Sequence, residues 1–320
     1  MARMIHPVSG ASGRAILPPM AQGTGPDRST AGTPPGPSRR PRVGVIGAGN
    51  VGTALGVAID RAGWPVVAVS SRDPARRAKA AQLLPGARPL DDPAALVELV
   101  DLVLVTVPDD VIGTVAAGIR LRPGQAIVHT SGALPADILA AAQVPGTTAA
   151  SFHPLVPFAD VERALAALPG ASIAIEGDPA LVSLLSELAT DLGARPIAVS
   201  AAGKAAYHAA AALAAGGVVA LLDVIAELGR VAGMDERTAL AVYAPLIRSA
   251  LGNAEALGIA NALTGPVQRG DAATIRLHLD AIDGSAPATR ELYVAALERQ
   301  LGIAMARGDL DDDTAALLRP

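Results

Sequence analysis

Lys204 and His208 stand four residues apart in AGKAAYHAA, a spacing that puts both side chains on one face of a helix. A lysine aimed into a largely apolar cleft has a lowered pKa and can act as a general acid, with a neighbouring imidazole orienting the substrate. The pair also fits a plainer description, a solvated lysine at a helix start and a core histidine. Three further segments offer partners for such chemistry. In IVHTSGALP, Ser131 and the N–H of Gly132 are donors at a strand-to-loop turn, a cradle for a carboxylate. In SFHPLVPF, His153 follows a strand and belongs at a cleft rim, either facing a ligand or bracing its loop. In NALTGPVQRGD, Arg269 is placed to reach a substrate across a dimer contact, while Asp271 suits the N-cap of the next helix.

These groups need a cofactor, and VGVIGAGNVGTALG provides for one. Apolar β-type residues run into Gly47, Gly49 and Gly52, with Asn50 and Val51 opening the helix that follows. Gly47 permits the tight turn, Gly49 leaves room for a pyrophosphate, Gly52 lets helix and strand pack closely, and the helix N–H groups face the phosphates. The next strand, VVAVS, ends in Ser70, Ser71 and Arg72, with no carboxylate at its tip. Two hydroxyls and a guanidinium suit a 2′-phosphate, so the expected cofactor is NADPH, with Arg76 and Arg77 adding to the field. Asp73 precedes Pro74 and reads as a helix N-cap. In LVLVTVPDDVI a buried strand ends at Val107 and Pro108, and Pro108 is expected against the nicotinamide. Asp109 or Asp110 is expected to cap the helix after it, with neither catalytic.

Composition narrows the partners. A net charge of -4 and 2% aromatic residues argue against nucleic acid. With no cysteine there is no disulfide or thiol nucleophile, which fits a reducing cytoplasm. Five histidines without paired spacing give no reason to expect a metal site. The long apolar run 205–222 is mostly Ala and Gly and holds Tyr207 and His208, so it is expected as a buried helix and not a membrane span.

The elements that must position these residues follow from periodicity. Residues 1–40, rich in Pro, Gly and Ser, read as a disordered tail. Strand and helix alternate over 41–200, with strands at 42–46, 66–70, 102–107, 126–130, 147–152, 171–176 and 195–199. The pattern is α/β, a doubly wound, mainly parallel Rossmann sheet. Over 201–310 only helical patterns remain, giving an all-α domain for substrate binding and dimerisation. Residues 311–320 read as a second tail. The Ala-, Leu- and Val-rich helices have too few charges to solvate every face, so a homodimer is expected. A cleft between the two parts, at the carboxyl ends of the strands, is where the site belongs.

With GVIGAGNVGTAL, VTVPDDVI, HTSGAL, SFHPLVPF, KAAYHAAA and ALTGPVQRGD in this order, the chain resembles a family of bacterial proteins. These have a Rossmann-like NADP-binding domain followed by a C-terminal domain long labelled as of unknown function. The family is similar to the wider 6-phosphogluconate and β-hydroxyacid dehydrogenase group, and some relatives are an alternative (PanG-type) ketopantoate reductase. The resemblance implies an NADPH-dependent reductase of a small 2-oxo carboxylate, ketopantoate before others, in pantothenate biosynthesis. Lys204 would then protonate the alkoxide, Ser131 and Gly132 would hold the carboxylate, and His153 or His208 would orient it. In the wider group an asparagine shares the helix of the lysine. Here His208 stands four residues on and Gly216 occupies the place of the closer family's asparagine, so Asn253 is the candidate substitute. A prephenate-dehydrogenase-like or imine-reducing enzyme and a non-enzymatic NADPH sensor are the rival readings.

Overall fold

The computed structural model describes residues 40–320, and the expected tail over 1–39 lies outside them. Arg40 is not tail. Its guanidinium lies 5.3 Å over the ring of buried Trp64 and pairs with Asp191 at 2.8 Å, pinning the chain just before the first strand.

From there the chain winds β1 (Val43–Ile46), α1 (Asn50–Arg61), β2 (Val66–Ser70), α2 (Pro74–Leu83), β3 (Arg88–Leu90), α3 (Pro93–Val97), β4 (Leu102–Val105) and α4 (Asp109–Ala117). It continues through β5 (Ala126–His129), β6 (Thr148–Pro154), α5 (Val161–Ala167), β7 (Ser172–Gly177), α6 (Pro179–Asp191) and β8 (Arg195–Ala198). The eight strands form one sheet in the order β3-β2-β1-β4-β5-β6-β7-β8. All neighbours are parallel except β6 and β7, where His153 stands opposite Ala174. The order in which strands are added reverses between β1 and β4, the kind of switch point at which doubly wound sheets open a crevice.

Continuous apolar strands such as LVLV are covered on both faces, as a parallel sheet requires. One face packs Leu55, Trp64, Phe152 and Leu185, and the other packs Ile112, Ile127 and Leu139. Two elements escape sequence periodicity. β3 is three residues long and contains Pro89, a residue tolerated there because β3 is an edge strand. The segment 136–142 is a 3-10 helix and not an α-helix.

The last strand ends at Ala198 and the chain becomes helical with α7 (Lys204–Ala212), a π-helical turn at 213–217 and α8 (Val218–Val231). Then come α9 (Glu236–Leu257), α10 (Ile259–Ala262), α11 (Ala272–Ser285), α12 (Arg290–Arg307) and α13 (Asp312–Leu318). A separate small core of Val267, Ile275, Leu297, Leu301 and Leu318 holds α11–α13 together. The stretch 311–320 is therefore not a tail: Asp311 caps α13, and Ala315 and Leu318 are buried.

The expectation of a buried helix over 205–222 is also corrected. The helical stretch 201–231 is long and apolar enough to cross a membrane, yet only 6% of its most apolar window is buried within the chain. Lys204, Tyr207 and His208 at its start face the sheet's carboxyl edge. Beyond them Leu213, Val219 and Leu221 are exposed, as are Val242, Leu246 and Leu251 on α9.

Candidate functional site

The turn after β1 is forced by packing. Gly47 has φ +109°, and a Cβ there would fall 2.7 Å from the Thr106 carbonyl oxygen. A Cβ on Gly52 would fall 1.9 Å from the Gly47 carbonyl oxygen. Thr106, absent from any sequence reading, fastens the turn by donating to the carbonyls of Ile46 and Gly47 at 3.1 and 2.7 Å. At Gly49, by contrast, a Cβ would meet nothing within 4 Å, and α1 begins there without a side-chain cap. Open space and uncapped first-turn N–H groups coincide, which is the cradle a pyrophosphate needs. Asn50 contributes its backbone only, because its amide donates to the carbonyls of Phe158 and Ala159 at 3.1 and 2.9 Å.

A cleft of about 1090 Å³ runs from this turn along the carboxyl edge of the sheet. Val51 lines it, and so do Ser70, Ser71 and Arg72 at the end of β2, with Arg76 and Lys79 from α2. Asp73 shares the wall, but its carboxylate caps α2 through the N–H groups of Ala75 and Arg76 and pairs with Arg76 at 3.4 Å. Arg77 is held elsewhere, donating to the Ser71 carbonyl. The cations facing the cleft are thus Arg72, Arg76 and Lys79, the last unmarked in the sequence. Val107 and Pro108 line the middle of the cleft.

The far end is built from four elements. His153 reaches the cleft from within β6, not from the loop after it, and its Nδ1 lies 2.9 Å from the Tyr207 hydroxyl. The two rings meet edge to face at 5.6 Å, and the ring of His208 lies 5.7 Å from His153. Gly132 fits between them: a Cβ would come within 2.5 Å of the His208 ring and 2.7 Å of the His153 ring. Burial, followed by the positive charges of His208 and Lys204, lowers the His153 pKa to about 4, so the imidazole is neutral at pH 7. Burial raises that of Tyr207 to about 12, which keeps its hydroxyl protonated.

Two expected roles are revised by placement. The Ser131 hydroxyl is already spent, donating to Asp109 Oδ2 at 2.7 Å and accepting from the N–H groups of Ala133 and Leu134. Asp109 therefore braces the Ser131 turn and does not cap α4, whose N-cap is Pro108; Asp110 makes no cap bond either. Lys204 does not line the cleft. It is 1% exposed, and Nζ donates to the Ser131 carbonyl at 3.2 Å and to Ser151 Oγ at 2.7 Å, with Glu176 beyond Ser151. Burial lowers its pKa, while Glu176 and Asp109 oppose the shift. Beneath the same turn, His129 is fully buried and its pKa falls to about 4, chiefly through burial. Its Nδ1 accepts from Ser131 N–H, so Nε2 carries the proton and donates to the Pro135 carbonyl.

Asn253, exposed on α9, and Arg269, exposed in the turn before α11, are not among the residues lining this cleft. Asp271 does cap α11, accepting from Thr274 N–H. The roles of Tyr207, Ser151, Glu176 and Asp109 carried no sequence signal, since each comes from a partner distant in the chain.

Two family models match the chain. One is a Rossmann-like domain over residues 24–154, the other a domain of unknown function, DUF2520, over 171–300. No curated protein matches. Among solved structures, a Bacteroides fragilis protein described as an NADP oxidoreductase is 25% identical. It aligns over 82% of this chain and 99% of its own, with a TM-score of 0.68. Protein TM1727 of Thermotoga maritima is also 25% identical, over 83% of this chain and 99% of its own, with a TM-score of 0.63. An imine reductase from Pseudomonas sp. is 20% identical, over 87% and 98%, with a TM-score of 0.61, a likeness of fold alone. The chain has the fold of NADP-dependent oxidoreductases, a Rossmann-like domain followed by a DUF2520 domain.

Proposed function

We propose that this protein is an NADPH-dependent oxidoreductase that reduces a small 2-oxo carboxylate, with ketopantoate the first substrate to test. The observation that carries the reading is one continuous cleft. It leads from Arg72, Arg76 and Lys79 beside β2, across the open cradle at Gly49 after β1, past Pro108 after β4, to His153 on β6. The three cations suit a 2′-phosphate, which takes charge-assisted donors better than a ribose hydroxyl does. When bound, the nicotinamide supplies hydride. The protein's part is to hold the keto acid near His153, exclude water with Pro108, Val156 and Phe158, and deliver one proton to the oxygen.

His153 is assigned that proton because it alone of the two histidines and the lysine lines the cleft. Lys204 instead places a positive charge beneath the Ser131–Gly132 turn, favouring an anionic substrate. Gly132 and His208 pack against the His153 ring without lining the cleft, and they position that ring beside the substrate. We also propose that a second copy of the chain covers the exposed apolar faces of α8 and α9, forming a homodimer in the cytoplasm.

The test is NADPH oxidation, followed by absorbance, against a panel of 2-oxo acids that includes ketopantoate and one cyclic imine. Turnover with a 2-oxo acid supports the proposal. Turnover confined to the imine moves the assignment to C=N reduction, and NADPH binding without turnover of any compound favours the sensor.

A further inference from the structure

The neutral imidazole at the cleft has a difficulty as an acid. Giving up Nε2–H alone would leave an imidazolate, which is prohibitively basic, so a second proton must arrive at Nδ1 as the first departs. The group in contact with Nδ1 is the Tyr207 hydroxyl, 2.9 Å away. Tyr207 makes no other hydrogen bond among the described residues, so this contact is its one side-chain partner there. With the hydroxyl as donor, Nδ1 accepts and Nε2–H lies on the side of Gly132, where a Cβ would come within 2.9 Å of Nε2. Tyr207 is only half-buried, which leaves its oxygen open to resupply from solvent.

Resting on the reading of the site as a keto acid reductase, we propose that Tyr207 is a positioning residue that orients His153 and reprotonates it as His153 protonates the substrate. The step balances. The carbonyl carbon gains hydride from NADPH and the carbonyl π bond becomes a lone pair on oxygen. That oxygen takes the Nε2 proton and Nδ1 takes the phenolic proton; the phenolate then takes a proton back from Nδ1 as Nε2 takes one from water, which leaves hydroxide to the solvent and restores the starting tautomer. The edge-to-face packing of the two rings at 89° holds the hydroxyl on the edge of the imidazole, where the nitrogen lone pair lies.

Tyr207→Phe keeps the ring and removes only the hydroxyl, and matched thermal unfolding of variant and parent checks that the fold is retained. Single-turnover hydride transfer with an accepted keto acid should fall about tenfold or more, with KM and NADPH affinity unchanged. In mixed light and heavy water the parent should show a curved rate dependence, two protons moving together, and Tyr207→Phe a linear one. A variant that transfers hydride at the parent rate overturns the relay. An independent reading needs no turnover: long-range ¹H–¹⁵N spectra of the protein without cofactor should show His153 protonated at Nε2 and bare at Nδ1. A proton on Nδ1 there overturns the proposal even if the enzyme is active. A parent inactive on every panel compound refutes the keto acid assignment, while the same spectra still decide whether Tyr207 donates to His153.

Discussion

Replacing Lys204 by Met separates a buried charge from the carbon stem that carries it. The stem's packing is largely kept, so a sequence reading expects little change in stability. The structure says otherwise, because Nζ serves two acceptors in a site with 1% exposure. Without it the Ser131 carbonyl loses its donor, and Ser151 is left with only a 3.4 Å contact to Glu176, whose carboxylate loses its nearby cation. Each hydrogen bond to a charged group contributes about 1.5–3 kcal/mol, and orphaning a buried ionic partner costs about 3–5 kcal/mol. Relief from desolvating the ammonium offsets part of this, so the variant should be less stable by about 3 kcal/mol. Urea unfolding of both proteins at pH 7.5, with equal m-values, measures it. The same substitution should raise the pKa of His153 from about 4 towards the ordinary histidine value, because Lys204 contributes to its depression. Its ring proton shift against pH follows that change. A loss of stability under about 1 kcal/mol, with an unmoved His153 titration, would refute the account of Lys204 as the buried support of the Ser131–Gly132 turn.

Arg72→Ala should weaken NADPH by roughly tenfold or more while leaving NADH nearly unchanged; equal weakening by calorimetry would contradict the 2′-phosphate assignment. His129 holds fewer protons folded than unfolded between about pH 4 and 6.5, so stability should fall as pH drops through that window. The gap is worth about 3 kcal/mol; His153 contributes in the same window, so His129→Gln should roughly halve, not abolish, the slope of urea midpoints there. Light scattering at micromolar concentration should give twice the chain mass, and Leu246→Asp together with Leu251→Asp should halve it if α9 meets a second copy. A monomeric parent would contradict the dimer.

The dinucleotide cradle is legible in the sequence because its causes are local: Gly47 and Gly52 are demanded by backbone atoms a few residues away or on the adjacent strand. Alternation of apolar runs likewise marks seven of the eight strands, while the short β3 carries too few residues to show a period. The His153 end of the cleft is legible only as a set of segments. Ser131, His153 and Lys204 each stand in a segment that reaches it, yet their division of labour depends on pairings of distant residues, Ser131 with Asp109 and Lys204 with Ser151 and Glu176. A hydroxyl already spent on a carboxylate looks the same in a sequence as a free one. Apolar content over 205–222 equally could not say whether burial comes from the chain itself or from another surface.

The π-helical turn at 213–217 sits between a half-helix that packs Tyr207 and His208 against His153 and a half-helix whose apolar residues face outward. One residue added to an α-helix advances everything after it by about 100°. The turn therefore works as a phase slip in a single rod: α7 and α8 keep one axis while presenting faces set by different clocks. Excising one residue there would rewind α8 by about a quarter turn without touching Lys204, Tyr207 or His208. Gly216, whose Cβ position is empty within 4 Å, sits in that slip. The orientation of everything downstream of α7 is thus governed by a residue count, a quantity that insertions and deletions can change and substitutions cannot.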